Sequence, residues 1–494
     1  MLTAFLVLFP LVAALLLHFT KGPAARVLAL GAAFVELAAA VLAAIVFTQN
    51  NHAPSLTLQQ PWISSAGLSF HLGIDGLSLC LVLLTCFLVP IILATAFRHD
   101  EYENPGAFYA LVLFMQTGLL GVFTSFDAFL FYFFWEVALI PIYFLAGAWS
   151  RAERRIQITF KFFLYTIIGS LFMLAGFVYL YLQTGPAPGS LAPHSAELSA
   201  FMALKLSAAE QSWLFWLIFA AFAVKMPLFP FHTWQPDTYT ESPAPATMLL
   251  SGIMLKMGVY GCLRWLLPVV PLGTSQWQKL IMVLAIIGIV YAAIIAIRQR
   301  DMKRLIAYSS LSHVGLMAAG VFSLKAIGLQ GVVVQMLAHG VNVVGMFLVA
   351  DAIERRTHSR YLPDLGGLTR RTPALSIVFL IMLLSTVALP LTGGFVGEFL
   401  LLMGVYQYSA WAGAVAGLTI IFSAVYLLRL FQRSMLGPDS PYSESMTDLS
   451  GKELFMFVPL VVAVFWLGLY PHTFLKFSEP AVYQILSKVV GGGS

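Results

Sequence analysis

The chain has 494 residues, of which 60% are hydrophobic and only 10% charged, and its mean hydropathy is +0.88. Soluble domains carry about 25% charged residues, so a soluble globular protein is excluded. The net charge of +5 has to be read against the membrane, since loops of such a chain are where its cations collect.

Windows of about 20 apolar residues predict an all-α polytopic membrane protein with fourteen spans, near 2–20, 25–48, 75–97, 107–124, 126–149, 156–183, 211–231, 243–268, 276–297, 302–323, 326–352, 373–407, 410–435 and 452–470. A barrel is excluded because its strands alternate apolar and polar residues. The first segment lacks a basic leader and a small-residue cleavage site and reads as a retained helix. The tail 491–494, Gly-Gly-Gly-Ser, reads as a linker. Cys80, Cys86 and Cys262 lie in or beside apolar stretches, with neither the number nor the spacing of a zinc or iron–sulfur site. No nucleotide-binding glycine motif is present.

Helices 7 and 12 are interrupted, the seventh by Pro227 and Pro230 and the twelfth by Leu389-Pro390-Leu-Thr-Gly393-Gly394. Proline removes a helix donor, and broken backbone at membrane depth survives only where protein or water satisfies it. Each break falls in the fourth helix of a five-helix block, helices 4–8 and 9–13. An odd number of spans makes the second block inverted relative to the first, the pattern of transporter repeats. The predicted organisation is three N-terminal helices (1–106), a first repeat (107–270), an inverted second repeat (271–436) and a last helix with its tail (437–490). Loops after odd-numbered helices hold most of the cations, among them Arg151, Arg154, Arg155, Arg355, Arg356, Arg360, Arg370 and Arg371. The positive-inside rule places these loops in the cytoplasm and both termini outside, in a bacterial inner membrane.

Four charged residues sit within the apolar spans: Glu136, Lys225, Lys256 and Glu398. A charge at the bilayer centre costs at least a few kcal/mol, so each needs a partner, a wet cavity or a task. Glu136 and Lys225 suggest an ion pair. In helix 11, Gln335, His339 and Asn342 fall at i, i+4 and i+7 as one polar stripe. His313 follows the hydroxyl-rich run Tyr308-Ser309-Ser310-Leu-Ser312. Histidine transfers protons near neutral pH, and neither histidine has a carboxylate or cysteine at ligand spacing. Glu398 follows the second break with no cation close in sequence. Lys161 and Glu36 read as lying nearer helix ends, within snorkelling reach of water. The stretch from Phe231 to Asp237 reads as a structured re-entrant connection.

Lys225-Met-Pro-Leu-Phe-Pro-Phe-His232-Thr-Trp234-Gln-Pro-Asp237, Arg304-Leu-Ile-Ala-Tyr308-Ser-Ser310-Leu-Ser-His313, Phe134-Trp135-Glu136 and Gly393-Gly394-Phe-Val-Gly-Glu398-Phe resemble the antiporter-like membrane subunits of respiratory complex I. The resemblance runs over nearly the whole chain. It implies a proton-translocating subunit of an NADH:quinone oxidoreductase, without a redox centre of its own. FMN, iron–sulfur clusters and quinone would belong to partner subunits. Glu136 and Lys225 would form the gating pair, Lys256, His313 and His339 a buried axis, and Glu398 its end, where the sibling L and N subunits carry lysine. Those siblings would be membrane partners in a hetero-oligomer. The same motifs occur in multisubunit sodium/proton antiporters, and a membrane scaffold with structural buried charges is the remaining alternative.

Overall fold

A computed structural model describes residues 1–50, 56–99, 104–186, 192–444 and 446–491. Beyond Gly491 the linker-like tail lies outside these residues. The chain is almost wholly helical: α1 (Leu2–His18), α2 (Pro23–Gln49), α3 (Gly76–Ala96), α4 (Pro105–Thr124), α5 (Ala128–Val137), α6 (Leu139–Ala148), α7 (Arg155–Gln183), α8 (Leu198–Met202), α9 (Ala208–Lys225), α10 (Gln235–Glu241), α11 (Ala244–Leu249), α12 (Leu255–Gly261), α13 (Pro271–Arg298), α14 (Met302–Phe322), α15 (Ala326–Thr357), α16 (Pro373–Thr386), α17 (Gly393–Tyr408), α18 (Ala410–Met435), α19 (Gly451–Leu469) and α20 (His472–Gly491). Among the described residues, 11 helical stretches are long and apolar enough to cross a membrane. The chain divides into two compact units, one of residues 1–226, 253–279 and 476–494, the other of residues 227–252 and 280–475.

In the first unit, α4 packs against α1, α3 and α5, and α7 packs along α9. Small residues set these approaches: a Cβ on Gly118 would come within 2.7 Å of the Ala138 backbone. Lipid-facing sides are apolar, as Phe160, Leu164, Ile168, Leu171 and Phe172 on α7 show by their exposure. A β-hairpin, β1 (Leu56–Ile63) and β2 (Leu68–Ile74), departs from the all-helical expectation. Its turn ends at Gly67 in the left-handed region (φ 63°), and the Gly67 α-carbon faces the carbonyl of His194. The hairpin is fixed to α5 by Asp127, which caps that helix by accepting from Phe129 and Leu130 N–H and also accepts from Ser69 N–H at 3.1 Å. His71 pairs with Glu197 at 2.6 Å.

In the second unit, α15 is the buried centre, with its whole apolar window covered. Helices α14, α16, α17 and α19 pack around it. Helix α20, which from Lys476 onward belongs to the first unit, lies beyond the fourteen predicted spans, because Lys476, Glu479 and Pro480 lower its apolar character.

Candidate functional site: two buried polar centres

Helix α5 stops at Val137 and restarts as α6 at Leu139, so Glu136 occupies the end of a short helix. Its Oε1 is buried without a hydrogen-bond partner. The carboxylate interacts with the Ser170 hydroxyl of α7, which also reaches Tyr132. Lys225 is the last residue of α9, immediately before the proline-containing break. A cation at that end meets the negative pole of the helix. The side chain is 1% exposed, and Nζ has no hydrogen-bond partner. It lies 5.2 Å from the centre of the Trp135 ring, within cation–π range. The expected direct Glu136–Lys225 ion pair is therefore not formed. Trp135 covers the ammonium, and Glu136 acts on it through space.

Lys256 is 0% exposed. It lies in α12, a single α-helical stretch between two π turns, Leu250–Met254 and Cys262–Leu266. Such turns are rare and concentrate at functional sites. Two residues on, Gly258 brings this helix against α9: a Cβ there would lie 2.6 Å from Phe222 O and 2.7 Å from Met226 N. The absence of a side chain thus sets the helix of Lys256 against the end of the helix carrying Lys225.

The second unit holds the other three predicted residues. His313 on α14 brings Nδ1 to 2.9 Å from Glu398 Oε1 on α17, with both side chains 3% exposed or less. The approach is out of line for a hydrogen bond, so the two groups are in polar contact without one. His339 on α15 is hydrogen-bonded through Nε2 to the Ser310 hydroxyl at 2.9 Å, and its ring centre is 6.0 Å from that of His313. Ser385 donates to Asn342 at 2.8 Å. Ser309, Ser310, His313, Gln335, His339 and Asn342 line a cavity of about 20 Å³, room for one water molecule. Gly397 closes α17 onto α15, since a Cβ there would overlap Gln335 Oε1 and stand 3.0 Å from Gln335 Cα. The break before α17 holds Ala388 and Leu391 at positive φ, 66° and 78°, a conformation costing on the order of 1–3 kcal/mol for a side-chain-bearing residue.

Sequence reasoning missed Arg264. Only 8% exposed, it donates to Asp75, the cap of α3, at 2.5 Å and to Tyr260 at 3.2 Å. Its position in an apolar span was the available signal. Lys161 is half-buried. Glu36, expected near a helix end, instead lies near the middle of α2, is 0% exposed and does not reach a helix end. His232 stacks on Phe229 at 5.6 Å, and Asp237 pairs with Arg304 at 3.0 Å, giving the connection after α9 its own packing.

Two bundles of apolar helices carrying buried acids, lysines and histidines beside broken backbone define an antiporter-like membrane subunit. A family model described as NADH:quinone oxidoreductase/Mrp antiporter, TM, matches residues 125–423, and one for the amino terminus of NADH-ubiquinone oxidoreductase chain 4 matches residues 25–122. NADH-quinone oxidoreductase subunit M of Rickettsia typhi is 35% identical, covering 98% of this chain and 98% of its own. Its namesake from Rhodobacter capsulatus is 36% identical over 98% and 96%. A chain of respiratory complex I from Thermus thermophilus superposes with a TM-score of 0.90 at 32% identity, covering 99% of this chain and 100% of that one. A chain of the Mrp complex from Dietzia sp. shares the fold alone, at 21% identity and a TM-score of 0.81 over 99% and 100%. The chain belongs to the family of NADH-quinone oxidoreductase subunit M and chain 4.

Proposed function

We propose that this chain translocates protons within a respiratory NADH:quinone oxidoreductase, through two sets of buried groups. The observation that carries the reading is Lys225, a buried cation held without a hydrogen bond against Trp135 and within the field of Glu136. A lysine so poorly solvated holds its proton conditionally. Movement of Glu136 changes the ammonium's stabilisation and with it the affinity for that proton. Lys256 is the next group on the adjoining helix. In the other unit, Ser310, His339, His313 and Glu398 follow one another as successive proton-exchanging or polar groups, with space for one water where the rings stand apart.

The arrangement of fourteen spans in two inverted five-helix repeats, with termini outside the cytoplasm, belongs to the same reading. So do FMN, iron–sulfur clusters and quinone in partner subunits, and the sibling L and N subunits as membrane neighbours. The test is pumping in reconstituted vesicles by assembled complexes carrying Lys225→Ala or Glu136→Gln. Strong loss of pumping and of coupled quinone reduction is expected. Near-normal pumping by assembled Lys225→Ala complex would remove the relay. The family model's own description also includes Mrp antiporters, so sodium-dependent transport without any NADH-linked partner would favour an antiporter subunit.

A further inference from the structure

We propose that Glu36 is a proton-binding site outside this relay, an exchangeable carboxylic acid in the bundle of α2, α3 and α4. Glu36 lies near the middle of the 27-residue α2 and is 0% exposed. Both carboxyl oxygens are buried and without a hydrogen-bond partner. The rest of the buried face of α2 is almost wholly alanine, which packs helices closely without polar atoms.

The neighbouring helices offer no counter-ion at this depth. On α1 the basic residue is His18 in the last turn, on α2 Arg26 lies near the first turn, and α3 and α4 carry no acid or base within their spans. What α3 and α4 do present is Cys86 and Gln116. Cys86 is buried within electrostatic reach of Glu36. The Gln116 amide donates to Cys86 Sγ at 3.8 Å, and its own Oε1 is buried and unpaired. An ionised carboxylate left alone here would cost several kcal/mol. The species that fits is the neutral acid, formed when hydronium gives its proton to the carboxylate and leaves as water. Release runs the same step backwards. Beside Cys86, Gln116 Oε1 remains a buried acceptor without a hydrogen-bond partner in this bundle.

Infrared difference spectra of the purified complex in H₂O and D₂O test this. Wild type minus Glu36→Gln should show the carbonyl stretch of a protonated carboxylic acid, shifted down in D₂O, because the proton exchanges. Glu36→Asp should move the band without abolishing it. No protonated-acid band at this residue, or a band that ignores D₂O, overturns the proposal. If Glu36→Gln does not assemble, Glu36→Asp against wild type decides on the same two criteria.

Discussion

Lys225 lets stability and activity be separated. Replacing it by methionine keeps an unbranched, apolar chain of similar length and removes only the ammonium. That ammonium makes no hydrogen bond, and among the described residues it lies over the Trp135 ring at 5.2 Å. A cation–π contact of this kind returns about 2 kcal/mol at most when desolvated. Taking an ammonium out of water costs several kcal/mol, which one ring face does not offset. Replacing even a buried ion pair by well-packed apolar groups is commonly neutral or stabilising by about 1–4 kcal/mol, and Lys225 has no directly bonded partner to strand. Lys225→Met should therefore assemble normally and resist thermal dissociation at least as well as wild type, while pumping falls by roughly tenfold or more. Subunit retention after heating and acid uptake by vesicles, both normalised to assembled complex, measure the two effects. Adding Glu136→Gln to Lys225→Met should cost little further activity, since the acid's cation is already gone. A clear loss of stability in Lys225→Met, or pumping close to wild type, would show that the lysine is a packing element and refute the reasoning.

Glu398→Gln should cut pumping strongly, because it removes the carboxyl 2.9 Å from His313 and with it the ability to exchange a proton, whereas Glu398→Asp should retain part of it; vesicle acidification reads both. Burial carries the Asp127 carboxyl from 3.8 up to about 6, so the folded state holds this proton more tightly than the unfolded chain. The junction of hairpin and α5 is then most stable below the unfolded value and loses that stability as pH rises through about 6. Hydrogen exchange of the hairpin amides should quicken over this window, and Asp127→Asn should flatten the response. Cysteines placed at 151–155 and 355–371 should resist a membrane-impermeant thiol reagent applied from the periplasmic side; efficient labelling would reverse the proposed orientation.

Charges and prolines inside apolar stretches are visible in one dimension, which is why Glu136, Lys225, Lys256 and Glu398 and both helix breaks could be named from sequence. Contacts are another matter. Nothing near Glu398 in sequence announces His313, because the two meet only when α14 and α17 pack. The pairing of Glu136 with Lys225 suggests itself in sequence, yet the ammonium lies over the Trp135 ring and makes no hydrogen bond. The hairpin carried a readable signal, alternation on either side of Ser64-Ser-Ala-Gly67, but strands of 8 and 7 residues are invisible to windows tuned to a bilayer. Depth along a span is not written in the sequence. The apolar stretch around Glu36 contains no mark of where the membrane centre falls, and only the packing of α2 against its neighbours shows that the carboxyl is buried.

The two π turns around Lys256 have a consequence for how this helix is counted. In an α-helix each residue advances about 100°, so the direction of a side chain follows from its distance to either end. A π turn absorbs a surplus residue and breaks that arithmetic. The compass bearing of Lys256 is consequently set by where the surplus residues sit, at Leu250–Met254 and Cys262–Leu266. Loss of one residue from the first turn would leave the helix continuous and apolar, yet swing the lysine by about 100° relative to the residues before it. Relatives aligned through this stretch are therefore comparable in bearing only when their surplus residues coincide. A lysine in the same column could otherwise point at lipid.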